Sequence, residues 1–188
     1  MYVKWGKRLF DIIFSIIVLV FLAPLMIFIS ILIYLFDSKI IFFKQKRIGK
    51  NGKIFLMYKF RSMPVKTKNI PSHRIKKVQI SRIGSIIRRT NIDELPQFFN
   101  ILQNKMSIVG PRPCIQLDNR LIAYRKKNKS FYCKPGLTGL AQVNSYNGMS
   151  LKKKAFFDGL YTKKITLWSD LKIIFKTFIY LFKPPPIY

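Results

Sequence analysis

Residues 12–36, IIFSIIVLVFLAPLMIFISILIYLF, contain no charged side chain, and no other stretch constrains the chain as much. As a straight helix the segment would be about 37 Å long, enough for a hydrocarbon core of roughly 30 Å. It is too long for a cleaved leader, and no small-x-small site follows it. Nothing polar marks a second face, as a helix buried in a soluble core would show. The segment therefore belongs in a membrane. Pro24 lies near its middle and removes a backbone donor, which predicts a kink near Leu22 or Ala23. Lys4, Lys7 and Arg8 precede the run, and Lys39, Lys44, Lys46 and Arg47 follow it. Basic residues at both ends give the positive-inside rule no asymmetry to act on. Two arrangements satisfy these residues: a kinked spanning helix, and a helix that enters, breaks at Pro24 and returns to the same face.

The rest of the chain is long enough for one domain, which gives a membrane element at 1–38 and a cytosolic domain at 39–188. Lys and Arg number 35 against seven Asp and Glu, a formal net charge of +28. Such a surface suits polyanions: nucleic acid, anionic headgroups or phosphorylated substrates. With half of the residues apolar, the chain is no disordered basic tail. Cys114 and Cys133 have neither CxxC nor zinc-type spacing, so no disulfide framework or metal knuckle is implied.

Past residue 38 the pattern predicts an α+β domain, mostly helical. Residues 39–63 read as two short strands around Gly-Lys-Asn-Gly, and 64–78 as a basic loop holding the lone histidine, His73. Residues 80–89 have helical spacing, and 95–102 form a short helix with Pro96 in its first turn. MSIVGPRP (106–113) and KPGLTGLAQVNS (134–145) read as turns. Residues 169–183 form an amphipathic helix with Ser169 as its cap and Trp168 just before it. Beside a membrane anchor, a helix with Leu171, Ile174, Phe175, Phe178 and Phe182 on one face and lysines on the other is placed in the headgroup plane.

The chemistry points to TNIDELPQFFN. Glu94 is the only glutamate in the chain, and it stands beside Asp93. Adjacent carboxylates repel, so ion pairing alone gives little reason to place them together. Their positions suit a carboxylate nucleophile or a divalent-cation site completed by substrate phosphates. Lys59, Arg61, Arg88 and Arg112 would then serve the phosphates. No GxxxxGK[ST] and no GxGxxG occurs, so nucleotide-loop folds are not indicated.

QKRIGKNGKIF, KFRSM, DELPQFFNIL, MSIVGPRP, KPGLTGLAQV and DGLY stand in the order seen in bacterial polyprenyl-phosphate phosphoglycosyl transferases. KRLFD ahead of an apolar run with a central proline resembles that family too, and the resemblance covers about residues 4–175. In length and composition the chain is most similar to the small monotopic, PglC-like members. The resemblance implies transfer of a phospho-sugar from a UDP-sugar to undecaprenyl phosphate with release of UMP, and Mg²⁺ as cofactor. It implies Asp93 as the nucleophile forming a covalent phosphosugar intermediate, with Glu94, alongside Asp93, binding the metal. Lys59, Arg61, Arg88, Arg112 and Gln142 are then expected at substrate phosphates, and Lys7 and Arg8 at lipid headgroups. The re-entrant helix-break-helix at Pro24 is also implied, on the cytosolic face of the inner membrane, with downstream glycosyltransferases as partners and no nucleic acid. Three departures stand out: Ala23 where the family commonly has Ser before the proline, Asn104-Lys105 for Gly-Asp, and Ser145 where Gly is frequent. The competing expectation, a membrane-anchored polyanion- or nucleic-acid-binding protein, rests on charge and aromatics alone.

Overall fold

The computed structural model describes residues 2–65, 67, 80–144 and 148–181. A π-helical turn at Tyr2–Gly6 leads into α1, Lys7–Phe36. Helical structure continues through Pro24, so the break expected there is not seen as an interruption of α1. Proline forfeits one backbone bond, but the flanking residues, rich in good helix formers, keep theirs.

Although α1 is long and apolar, it is not isolated. Phe10, Phe14, Val18 and Leu19 in its first half pack on a core of Phe98, Ile101, Met106 and Ile108. Leu25, Met26, Ile29, Leu32 and Ile33 in its second half pack with Phe60 and Ile87. Between and around these contacts Ile16, Ile17, Val20, Phe21, Ile27 and Phe28 stay exposed. The helix thus has a domain-facing stripe and an outward apolar stripe along its length.

Strands β1 (Phe42–Ile48) and β2 (Ile54–Phe60) form the expected antiparallel hairpin, with Phe42 opposite Phe60 and Gln45 opposite Met57. Asn51 and Gly52 both take positive φ in its turn, which Asn-Gly tolerates best. Helix α2 (Arg82–Arg89) begins at Ser81, whose side chain accepts from the Gly84 amide. Helix α3 covers Gln97–Leu102, slightly shorter than expected, with Pro96 at its N-cap rather than in its first turn.

The two glycine-rich segments were expected as turns, and there the structure differs. Ser107–Val109 is β3 and Gly136–Thr138 is β4, a parallel pair with Ser107 opposite Gly136 and Val109 opposite Thr138. The pair is encoded by close backbone approach instead of by alternation. A Cβ on Gly136 would overlap the Gly110 amide nitrogen, so only glycine allows the approach. Helices α4 (Asn119–Lys127), α5 (Leu140–Val143), α6 (Leu151–Lys163) and α7 (Leu167–Leu181) complete the fold.

The amphipathic helix is present as α7, but its cap is not Ser169. Thr166 Oγ1 accepts from the Ser169 amide and Ser169 Oγ accepts from the Thr166 amide, a reciprocal capping box that starts the helix earlier. Trp168, Phe175, Phe178 and Ile179 are exposed on α7, while Ile173 is buried in the core. His73, Ser145 and Phe182 lie outside the described residues.

Candidate active site

The Asp93–Glu94 pair sits in a 3₁₀ turn, Ile92–Glu94, between α2 and α3. Asn91 precedes it with φ of 55°, a left-handed conformation that asparagine accepts more readily than most residues. Its carbonyl accepts the Glu94 amide at 3.0 Å. The turn packs on β2 and α2, which places the dyad beneath Lys59.

Lys59 binds both acids: its Nζ lies 3.1 Å from Asp93 Oδ2 and 2.7 Å from Glu94 Oε1. The position of Lys59 is fixed from the other side of the strand. Asn100 of α3 accepts from the Tyr58 amide at 2.9 Å and donates to the Leu56 carbonyl at 2.8 Å, so it pairs the outer edge of β2 on both sides of Met57. Arg112 approaches Glu94 from the loop after β3, with Nη2 at 2.5 Å from Oε1 and Nη1 at 3.3 Å from Oε2. This is the forked contact that suits a guanidinium to a carboxylate.

The two acids respond oppositely to this setting. Burial pushes the Asp93 carboxyl above its ordinary range; Lys59 opposes the shift and the Glu94 charge adds to it. Burial acts on Glu94 in the same sense, but Arg112 and Lys59 together overcome it and hold that carboxyl well below its ordinary range. Glu94 is therefore the anchored anion of the pair. Asp93 is the carboxylate whose charge is poorly compensated, and such a group gains by sharing that charge with an electrophile.

The other expected site residues are not all drawn together. Arg88 lies in the last turn of α2, directly before the dyad turn. Arg61 donates Nε to the Ile40 carbonyl and stacks over Phe43, away from the acids in its contacts. Gln142 donates to the Leu137 carbonyl, and its buried Oε1 has no hydrogen-bond partner among the described residues. Lys7 and Arg8, expected at headgroups, are engaged by protein. Lys7 Nζ lies 2.6 Å from Asp170, and Arg8 donates to the carbonyls of Ile101 and Leu102 at the end of α3. Asn100 is the functional neighbour that sequence reasoning missed; an Asn inside the apolar face of QFFNIL was its only signal. Among the described residues no group of three or more His, Cys, Asp and Glu forms. The dyad itself offers hard oxygen donors of the kind Mg²⁺ takes together with substrate phosphates, and the poorly compensated Asp93 charge fits a cation there.

A family model described as bacterial sugar transferase matches residues 2–184. The undecaprenyl-phosphate galactose phosphotransferase of Salmonella typhimurium is 36% identical over 93% of this chain and 40% of its own length. The UDP-glucose:undecaprenyl-phosphate glucose-1-phosphate transferase of Klebsiella pneumoniae is 37% identical over 91% of this chain and 39% of its own. The uncharacterised sugar transferase EpsL of Bacillus subtilis is 36% identical over 89% of this chain and 83% of its own. The chain thus spans about two fifths of the length of the first two relatives and most of the third. With the motifs in order and the match covering nearly the whole chain, it belongs to the bacterial sugar transferase family.

Proposed function

We propose that this chain transfers a phospho-sugar from a UDP-sugar to undecaprenyl phosphate, through a covalent intermediate on Asp93. The observation that carries the reading is the asymmetry of the dyad, with Glu94 clamped by Arg112 and Lys59 and Asp93 left short of compensating charge. Asp93 attacks the phosphorus that bears the sugar. The bond from that phosphorus to the oxygen of the uridine-side phosphate breaks, and UMP leaves with the electron pair. An oxygen of polyprenyl phosphate then attacks the aspartyl-bound phosphorus, and the Asp93 carboxylate is released. Lys59, held at the dyad by the Asn100 clamp on β2, screens one anion from the other as the phosphates approach. Arg112 has a half-exposed side chain and can extend its fork to a phosphate oxygen. Glu94, with Asp93, would hold Mg²⁺, and the ion when bound neutralises charge on the substrate phosphates.

The chain works from one face of the membrane, with α1 re-entrant and α7 in the headgroup plane. Support comes from the contacts of α1: both its halves pack on the same domain, and a helix crossing the bilayer would carry one half beyond reach of that domain. The outward apolar stripe of α1 and the exposed Trp168, Phe175 and Phe178 of α7 are the surfaces that lipid would cover. Single cysteines introduced as Tyr2→Cys and Lys44→Cys should both be shielded from an impermeant reagent in intact cells. Labelling of position 2 from outside would contradict the re-entrant arrangement. The reaction itself is tested by incubating the protein with undecaprenyl phosphate, Mg²⁺ and a panel of UDP-sugars. One sugar should release UMP, whereas silence across the panel alongside salt-sensitive nucleic-acid binding would favour a polyanion-binding protein.

A further inference from the structure

Arg112 can clamp Glu94 only if its own backbone is held still, and the loop that carries it is braced with unusual completeness. After β3 the chain runs Val109-Gly110-Pro111-Arg112-Pro113. The Val109 carbonyl lies 3.0 Å from Tyr161 Oη, and the Pro111 carbonyl accepts the Gly136 amide at 3.0 Å. The next two carbonyls take guanidinium groups. Arg125 Nη1 donates to the Arg112 carbonyl at 2.7 Å, and Arg47 Nη1 donates to the Pro113 carbonyl at 3.0 Å.

Arg125 is itself locked. Its Nε donates to Asp158 Oδ2 at 2.8 Å, and both side chains are about 2% exposed or less. Asp158 and Tyr161 both come from DGLY on α6, so one helix turn reaches both ends of the loop, one end directly and the other through Arg125. A neutral donor would satisfy a backbone carbonyl at far lower desolvation cost than a buried guanidinium. Two arginines used this way on consecutive carbonyls fix the loop from which a third arginine reaches the only glutamate in the chain. Proline on both sides of Arg112 removes backbone freedom as well. Little is left to move but the Arg112 side chain.

The geometry points to Arg125 and Arg47 as positioning residues that act on the reaction solely by setting Arg112 against Glu94. Neither needs to touch substrate. The inference rests on the proposed transfer reaction for its kinetic arm and on geometry alone for its spectroscopic arm.

A double-mutant cycle separates this from a merely structural role. Arg125→Lys and Arg47→Lys should each lower kcat about tenfold, with KM for the UDP-sugar changing far less. In an Arg112→Ala background the same substitutions should lower kcat no further, because the residue they act through is gone. Additive losses in that background would overturn the proposal. Because Glu94 is the only glutamate, ¹³C-glutamate labelling gives one side-chain carboxyl resonance at its position. At fixed neutral pH and without metal, Arg112→Ala should move that resonance, and Arg125→Lys and Arg47→Lys should each move it part of the way. Each double variant should coincide with Arg112→Ala. A resonance unmoved by either lysine variant would equally overturn the proposal. If Arg125→Lys does not fold, Arg47→Lys runs the whole cycle alone. Failure of every variant, wild type included, to release UMP would count against the transfer reaction, while the resonance would still decide the positioning role.

Discussion

Asp170 and Asp93 are both buried aspartates in a strongly basic protein, yet their surroundings differ in kind. Asp170 accepts from Tyr2 at 2.7 Å, Lys7 at 2.6 Å and Tyr161 at 2.8 Å. Its charge is met on both oxygens by donors from the start of the chain and from α6, so it ties α7 to the foot of α1. Among the described residues one cation lies within ion-pair distance of Asp93, Lys59 at 3.1 Å, and it is shared with the glutamate next door. The saturated aspartate holds the fold together. The under-compensated one is left with charge to give, which is the usual compromise where reactivity is kept at the expense of local stability.

Breaking the comparison at Asp93 gives the largest effect. Asp93→Asn should abolish turnover, since an amide is a poor nucleophile and forms no acyl phosphate. The same change should leave the protein at least as stable at neutral pH. The sign follows from the direction of the shift: a carboxyl whose folded pKa lies above its unfolded value is penalised for ionising on folding, and the neutral amide removes that penalty. UMP release and a thermal melt on one preparation check both statements.

At Asp170 the expectation reverses. Asp170→Ala strands the Lys7 ammonium near the core, while the Tyr161 hydroxyl keeps the Val109 carbonyl, and should cost about 3–5 kcal/mol in denaturant unfolding. Asp158→Ala, which leaves the Arg125 guanidinium buried without its acid, belongs in the same range. A loss below roughly 1 kcal/mol at either position would mean that these pairs are as weak as surface ones.

Smaller effects sharpen the contrast within the dyad. Arg112→Lys should lower turnover about ten- to a hundredfold, because an ammonium cannot reproduce the fork on Glu94. Unchanged kinetics would make the fork dispensable. Glu94→Gln should cost about 1.5–3 kcal/mol of stability at neutral pH. Its folded pKa is depressed, so its contribution is present above the unfolded pKa and fades as pH falls toward the folded one. Unfolding midpoints at neutral and acidic pH should therefore converge for Glu94→Gln and wild type, and parallel curves would contradict the assignment. Residual activity of this variant should also respond to Mg²⁺ concentration.

Much of this was legible in the residues. The apolar run, the Asn-Gly hairpin, helix α2 and the acids facing basic partners follow from period, turn chemistry and charge. The parallel β3–β4 pair escaped because three-residue strands show no alternation, and their signal is the missing Cβ at Gly136. Long-range partners escaped for another reason. That Arg8 would cap α3, that Lys7 would meet Asp170, and that Asn100 would clamp β2 depend on which elements meet in space, and local pattern carries no record of it. Arg61 was expected among the phosphate ligands because it shares KFRSM with Lys59. Its contacts run instead to Ile40 and Phe43, because Arg61 stands just past the end of β2, where strand alternation from Lys59 no longer sets its direction.

The central claim is that Asp93 carries the phosphosugar, and one measurement meets it directly. The protein incubated with its UDP-sugar and Mg²⁺, but without polyprenyl phosphate, should release a burst of UMP no larger than one equivalent. Intact and peptide mass spectra should then show a phosphosugar mass gained at Asp93, and added polyprenyl phosphate should discharge it. If the complete reaction runs while neither burst nor adduct forms, polyprenyl phosphate attacks the UDP-sugar directly and Asp93 is no nucleophile.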